Sequence, residues 1–326
     1  MKTKKPDIFL GITMCLLVLA AVLCIVILFV QNSDKPADPG SASLSTGDVV
    51  KPDDSGKPGE TGNTGDTHAP VETQAPPVEL KAIDKEGLQA ALDDSLKGLT
   101  SEWQVMVVDP YDDTHVGSAV NCKVDDWMTA NRMTQVFIMA TVFQKCQEED
   151  SLVLDDLLDD VKAMITANDT YAADRLTERL GDGDAVKGRD AVKQFAVDNG
   201  VKLGFNRPLT GSASAKNYVT AQQTAEILNL ICQGKLVSQE ASAQMLDILL
   251  TPVEAPEIDP NLSGDGIRCG FVNDVEAGVC ICSMGVVKLP NRSFVISVVC
   301  NEPVTTDGAK KKVGDLIALV QPYFAE

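Results

Sequence analysis

Few side chains in this sequence are suited to chemistry, and their types narrow what the protein can do. There are two histidines, His68 and His115. A multi-histidine metal site is therefore not expected, and a Ser-His-Asp triad in the folded part would have to use His115. Nine cysteines are present. Cys15 and Cys24 fall in an apolar run near the N-terminus, and Cys122, Cys146, Cys232, Cys269, Cys280, Cys282 and Cys300 follow it. Seven is an odd number, so at least one thiol stays unpaired. No C-x-x-C occurs, which argues against zinc and thioredoxin-type redox sites. Cys146 and Cys232 sit in helical apolar patterns. Cys280 and Cys282 lie two apart in a strand-like run and share a face. Most of these thiols read as small buried hydrophobes, with a disulfide or two left open. Asp155-Asp156 and Asp159-Asp160 recur at helical spacing but lack the pattern of a calcium loop, so they read as a solvated acidic face. Lys310-Lys311-Lys312 reads as a surface face. Three glycosylation sequons, at Asn168, Asn261 and Asn291, are common enough to arise by chance. No metal and no cofactor are expected.

The charge balance sets the partners. The chain has 326 residues, 28 Lys+Arg against 47 Asp+Glu, and a formal net charge of −19. Binding to nucleic acid or adsorption to anionic lipid needs a basic face, so neither is expected. Ile8 to Val30 is an almost unbroken apolar run (IFLGITMCLLVLAAVLCIVILFV). As a helix it would span ~30–35 Å, the thickness of a bilayer core. Lys2, Lys4 and Lys5 precede it, and the segment after it carries more acid than base. The positive-inside rule then predicts a cytoplasmic tail over 1–7, one transmembrane helix over 8–30 and the remainder outside the plasma membrane. Residues 31–80, rich in Pro, Gly, Ser, Thr and Asp, read as a disordered linker whose ends lie roughly 40 Å apart. Residues 81–326 are expected to fold.

Within that part, Leu88, Leu92, Leu96 and Leu99 mark a first helix over Ile83–Leu99. Trp103–Asp109 and Val116–Cys122 read as strands. Helical patterns follow over Met128–Cys146, Leu154–Ala167, Asp169–Leu180, Arg189–Asn199, Thr220–Cys232 and Ser238–Leu250. Strands are expected over Gly266–Asn273, Gly278–Lys288 and Ser293–Asn301, and a last helix over Asp307–Phe324. The order predicts an α+β fold: a five-stranded antiparallel sheet with flanking helices, and an all-helical lobe.

Several stretches in this order are similar to landmarks of one family. They are Val136-Phe137-Ile138-Met139, Met164-Ile165-Thr166, Thr177-Glu178-Arg179-Leu180-Gly181, Asn217-Tyr218-Val219-Thr220-Ala221, Leu236-Val237-Ser238 and Ser293–Asn301. From about Leu88 onward the chain resembles the serine β-lactamase and penicillin-binding transpeptidase family, class A β-lactamases most of all. That chemistry uses S-x-x-K at a helix start, S-D-N, and K-T-G on the strand lining the cleft. The resemblance places Arg132 in the serine slot and Gln135 in the lysine slot. No serine occurs from Cys122 to Asp150, and Thr134 is the nearest hydroxyl. The second motif reads Asn168-Asp169-Thr170, and the third reads Arg268-Cys269-Gly270. The glycine there implies a close approach of substrate backbone. No Glu lies between Glu178 and Glu226, and if Phe205-Asn206 matches the Ω-loop landmark, the deacylating glutamate's slot holds Lys202.

These substitutions point away from catalysis. The resemblance implies a pseudoenzyme serving as a binding module at the cell wall. Arg132 and Arg268 would face each other across the cleft, with Asn168 and Asp169 on the lobe side, and together grip a carboxylate such as a cell-wall peptide end. Alternatively each arginine pairs only with a neighbouring acid, such as Asp169. One alternative function is an active β-lactamase or D-Ala-D-Ala peptidase with a displaced nucleophile, and another is a purely structural interaction domain. The sequence leaves open whether Cys269 is reactive: a thiol held beside Arg132 is one whose pKa can fall.

Overall fold

The structure is a computed structural model, and it describes residues 80–122, 126–149, 151–211, 215–253 and 256–325. The expected tail, transmembrane helix and most of the linker lie outside the described residues, as do Cys15, Cys24 and His68. Among the described residues no helix is long and apolar enough to cross a membrane.

Helix α1 (Lys85–Leu96) starts where the Asp84 carboxylate accepts the Gly87 N–H, and buries the stripe Leu88, Leu92 and Leu96. Strands β1 (Glu102–Asp109) and β2 (Thr114–Val120) follow, then a two-residue strand β3 (Met128–Thr129). The lobe holds α2 (Thr134–Glu148), α3 (Leu154–Thr166), α4 (Thr170–Leu180) and α5 (Ala185–Asp198). After β4 (Tyr218–Val219) come α6 (Ala221–Cys232), α7 (Gln239–Leu249), β5 (Arg268–Glu276), β6 (Cys280–Lys288), β7 (Ser293–Asn301) and α8 (Thr306–Val320). The main sheet has five antiparallel strands in the order β2-β1-β7-β6-β5. The α+β class and the five-stranded sheet therefore stand as expected.

Central strand β7 explains the two-layered core. Phe294, Ile296, Val298 and Cys300 point into one apolar cluster with Val313, Leu316 and Ile317 of α8 and the leucines of α1. Val295 and Val299 point the other way, into the cluster built by the lobe helices and α6. Both faces are covered, so the strand reads as a continuous apolar run rather than an alternating one.

Two boundaries differ from expectation for local reasons. The pattern Met128–Cys146 does not form one helix. Ala130 donates its N–H to Asn217 O at 3.2 Å, and Met128-Thr129 pair with Tyr218-Val219 as a second, two-stranded sheet. The helix begins only at Thr134, with the Thr134 N–H on Asn131 O at 3.3 Å. Helix α5 starts at Ala185, four residues earlier than the apolar pattern indicates, because the Asp184 carboxylate accepts from Val186 and Lys187 N–H.

One buried ion pair closes the sheet's lower end. Arg292, in the turn between β6 and β7, hydrogen bonds to Asp109 at the end of β1, and Asp109 is wholly buried. The same guanidinium donates to Lys81 O at 2.8 Å and lies 5.7 Å from the Phe324 ring centroid. Removing one member of such a pair strands the other charge without water. Arg292→Met should therefore cost about 3–5 kcal/mol. Adding Asp109→Leu to it should recover much of that loss. Chemical denaturation of the two variants beside the parent measures both numbers.

Candidate functional site

The site forms where the start of α2 meets β5 and the α3–α4 corner. The contacts at the α2 start explain how it is held. Asn131 donates its amide to Glu276 Oε2 at 2.8 Å and accepts the Asn217 N–H at 3.3 Å. The Arg132 N–H donates to Asp274 Oδ2 at 3.1 Å. Asn131 and Arg132 thus fix the α2 start to the last third of β5 and to the segment before β4. Glu276 also lies 3.8 Å from the nearly buried Arg207 guanidinium, which donates to Gly211 O at 3.1 Å.

Asn168 closes the other side. It follows α3 in the left-handed region (φ 55°), where asparagine is the residue most tolerated after glycine. Asp169 then caps α4, accepting from Tyr171 and Ala172 N–H at 2.8 and 3.1 Å. Asp169 therefore satisfies the helix end and is not the partner of Arg132. That partner is Glu257: Arg132 Nη1 donates to Glu257 Oε2 at 3.0 Å. Asn168 Nδ2 donates to the same oxygen at 3.2 Å and to Asn273 O at 3.3 Å. One carboxylate oxygen is held by a guanidinium and an amide from two different elements.

These groups open onto a cavity of about 900 Å³, lined by Arg132, Asn168, Glu257 and Arg268 among others. Both expected arginines line it. The structure brings Arg132 together with Asn168, while Arg268 lies at the far end of β5, six residues or about 20 Å along the strand from Asp274. Arg268 is exposed and makes no ion pair with another described residue. Gly270 has an internal reason to be glycine. A Cβ there would sit 1.6 Å from the Leu249 carbonyl oxygen, so the end of α7 packs against the strand at that point.

The remaining expected positions are placed as follows. Gln135 is fully buried, and neither end of its amide has a partner among the described residues. Thr134 is buried, with its hydroxyl on Asn131 O at 2.6 Å. Thr170 opens α4. Lys202 is exposed and does not line the cavity. Among the described lining residues only Thr166 and Cys269 carry a hydroxyl or thiol, and Thr166 donates to Lys162 O at 2.9 Å. Burial, with the nearby Asp259 charge, pushes the Cys269 thiol pKa up, which answers the question that the sequence left open. All seven described cysteines are free, with Cys280, Cys282 and Cys300 buried. No described cluster of His, Cys, Asp and Glu could hold a metal ion. His115 lies on β2, 2.6 Å from Glu226 on α6, and does not line this cavity.

Sequence reasoning missed Glu257, Asp274, Glu276, Asn131 and Arg207. Glu257 sits in a stretch with no periodicity. Asp274 lies one residue past the expected end of its strand, between Asn273 and Val275.

Asp274 is buried, and burial raises its pKa above the ordinary 3.8, while the Arg132 N–H and charge act in the opposite direction. A raised value means that the folded protein holds this proton more tightly than the unfolded chain does. Its contribution to stability is then complete below 3.8 and is lost as pH rises through the raised value. Asp274→Asn keeps an acceptor for the Arg132 N–H and does not titrate. The melting temperature of the variant minus that of the parent should grow as pH climbs above 3.8 and then level off. A difference that stays flat from pH 3 to pH 8 would contradict this.

Comparison with known proteins agrees with this architecture. The model of the Beta-lactamase enzyme family matches residues 140–321. No curated protein matches. The TLA-1 extended-spectrum β-lactamase structure superposes with a TM-score of 0.62 at 16% identity, covering 74% of this chain and 99% of that one. A β-lactamase from Sphaerobacter thermophilus gives 0.57 at 19% identity, covering 74% of this chain and 98% of that one. A representative of class A β-lactamase from Bacteroides cellulosilyticus gives 0.60 at 15%, covering 74% and 99%. Identities this low speak for the fold alone, whereas the family model spans more than half of the sequence. This chain belongs to the β-lactamase enzyme family.

Proposed function

We propose that the domain binds a carboxylate-bearing ligand in this cavity and does not hydrolyse it. One observation carries the reading. At the helix start where the family resemblance expects a serine nucleophile, Arg132 extends into the cavity and holds a carboxylate oxygen together with Asn168. An arginine guanidinium stays protonated and cannot attack a carbonyl, but it recognises carboxylates well. Gln135, in the lysine slot, is neutral and cannot take a proton from a nucleophile. The two lining groups that could acylate are a hydroxyl bonded back into its own helix and a thiol with a raised pKa.

The same proposal places the domain outside the plasma membrane. The support is the apolar run Ile8–Val30, the lysines before it and the polar stretch behind it. In that setting a peptide C-terminus or a cell-wall stem-peptide fragment is the ligand class that fits a guanidinium and an amide.

Intact mass spectrometry after incubation with a reporter penicillin, beside a nitrocefin hydrolysis trace, tests the non-hydrolytic part. The expected outcome is unmodified mass and no turnover from protein with a cooperative melt. A penicilloyl adduct would overturn the proposal, and peptide mapping would then locate the nucleophile.

A further inference from the structure

The carboxylate that Arg132 and Asn168 hold belongs to the protein itself. We propose that these two residues form a carboxylate-exchange site, kept closed by Glu257 and opened when a ligand's carboxylate takes its place. This rests on the carboxylate-binding reading above and adds how the ligand gains entry.

Three features support exchange. First, the two donors converge on a single oxygen, Glu257 Oε2, at 3.0 and 3.2 Å. An arrangement that already binds one carboxylate fits another of the same geometry. The left-handed backbone of Asn168 fixes its amide here independently of Glu257, because Nδ2 is also held by Asn273 O. The reverse orientation of that amide would set oxygen against oxygen.

Second, Glu257 is attached more loosely than its partners. Arg132 is anchored by its own backbone N–H on buried Asp274. Glu257 comes from the stretch between α7 and β5, whose described residues form no helix or strand. The two side chains remain 29% and 38% exposed, so water screens the pair and its net strength is small. A carboxylate reaching Arg132 therefore displaces a weak contact.

Third, exchange of like for like keeps the guanidinium compensated. A neutral ligand would expel Glu257 and leave Arg132 unpaired at the cavity wall, so selection favours anions. Arg268, exposed on the same cavity and without an ion pair among the described residues, supplies a further cation for a ligand longer than one residue.

Calorimetric titration of the 326-residue chain with N-acetyl-alanyl-alanine, and with its C-terminal amide, tests the idea. Glu257→Gln should bind the acid about three- to tenfold more tightly than the parent. The amide should gain nothing. Placing Arg132→Gln or Asn168→Gly in the Glu257→Gln background should abolish the gain, and glycine at 168 preserves the left-handed backbone. If the parent binds the acid and Glu257→Gln binds it equally or more weakly, Glu257 is not a competitor and the inference falls while the binding reading stands. If neither protein binds the acid, the binding reading itself fails and the inference falls with it. Melting curves of every variant establish that each is folded.

Discussion

The contact between the Arg132 N–H and the buried Asp274 carboxyl joins the lobe to the sheet at the candidate site. Asp274 belongs to the edge strand of the sheet, and Arg132 lies two residues before the longest helix of the lobe. A helix start carries unsatisfied N–H groups, and a buried carboxyl needs donors, so each group meets the other's requirement. Asn131 and Glu276 repeat the arrangement two residues further along the strand. The position of every cavity group on the lobe side, Arg132 above all, follows from this junction.

The chain keeps the fold of its family, while the proposed reading gives the centre of the cleft a different chemistry. A serine hydrolase site needs a neutral hydroxyl, a base near it and donors aimed at a developing oxyanion. Here the helix start that the resemblance sets in the serine's place presents a permanent cation, and the position one turn on presents a sealed amide with no partner among the described residues. What remains is a guanidinium, an amide and a carboxylate in mutual contact. On the proposed reading these groups recognise a fixed charge rather than stabilise a transient one. Among the described lining residues the charges are balanced, with Arg132 and Arg268 against Glu257 and Asp259. Recognition therefore depends on placement more than on net field.

Much of the fold was legible because its elements are buried in regular ways. Strand β7 runs over Ser293–Asn301, as its apolar run indicates, since both of its faces meet packed helices. The helices α3, α6 and α7 lie within a residue or so of their apolar periodicity. The two-residue strands β3 and β4 were not legible: so short a pairing leaves no period, and it is set by Asn131 and Asn217, whose contacts are distant in sequence. The site divides in the same way. Arg132 and Asn168 were found because they fall at fixed offsets from regular landmarks. Glu257 was not, because what makes it matter is a meeting in space between an irregular stretch and two helix ends. Arg268 was found, yet the strand carries it well away from the α2 start, since residues along an extended chain separate quickly.

The Arg292 cluster has a mechanical meaning. Its guanidinium grips Lys81 O, Asp109 at the end of β1, and the face of Phe324 near the C-terminus. The guanidinium thereby ties the backbone just before α1 to the rest of the cluster. The cluster sits at the β6–β7 turn and the end of β1, strands that lie at the centre of the sheet rather than at its rim. The knot at Arg292 thus staples two distant ends of the described chain, near Lys81 and Phe324, to the middle of the sheet, while the edge strand that lines the cleft stands two strands away from β7.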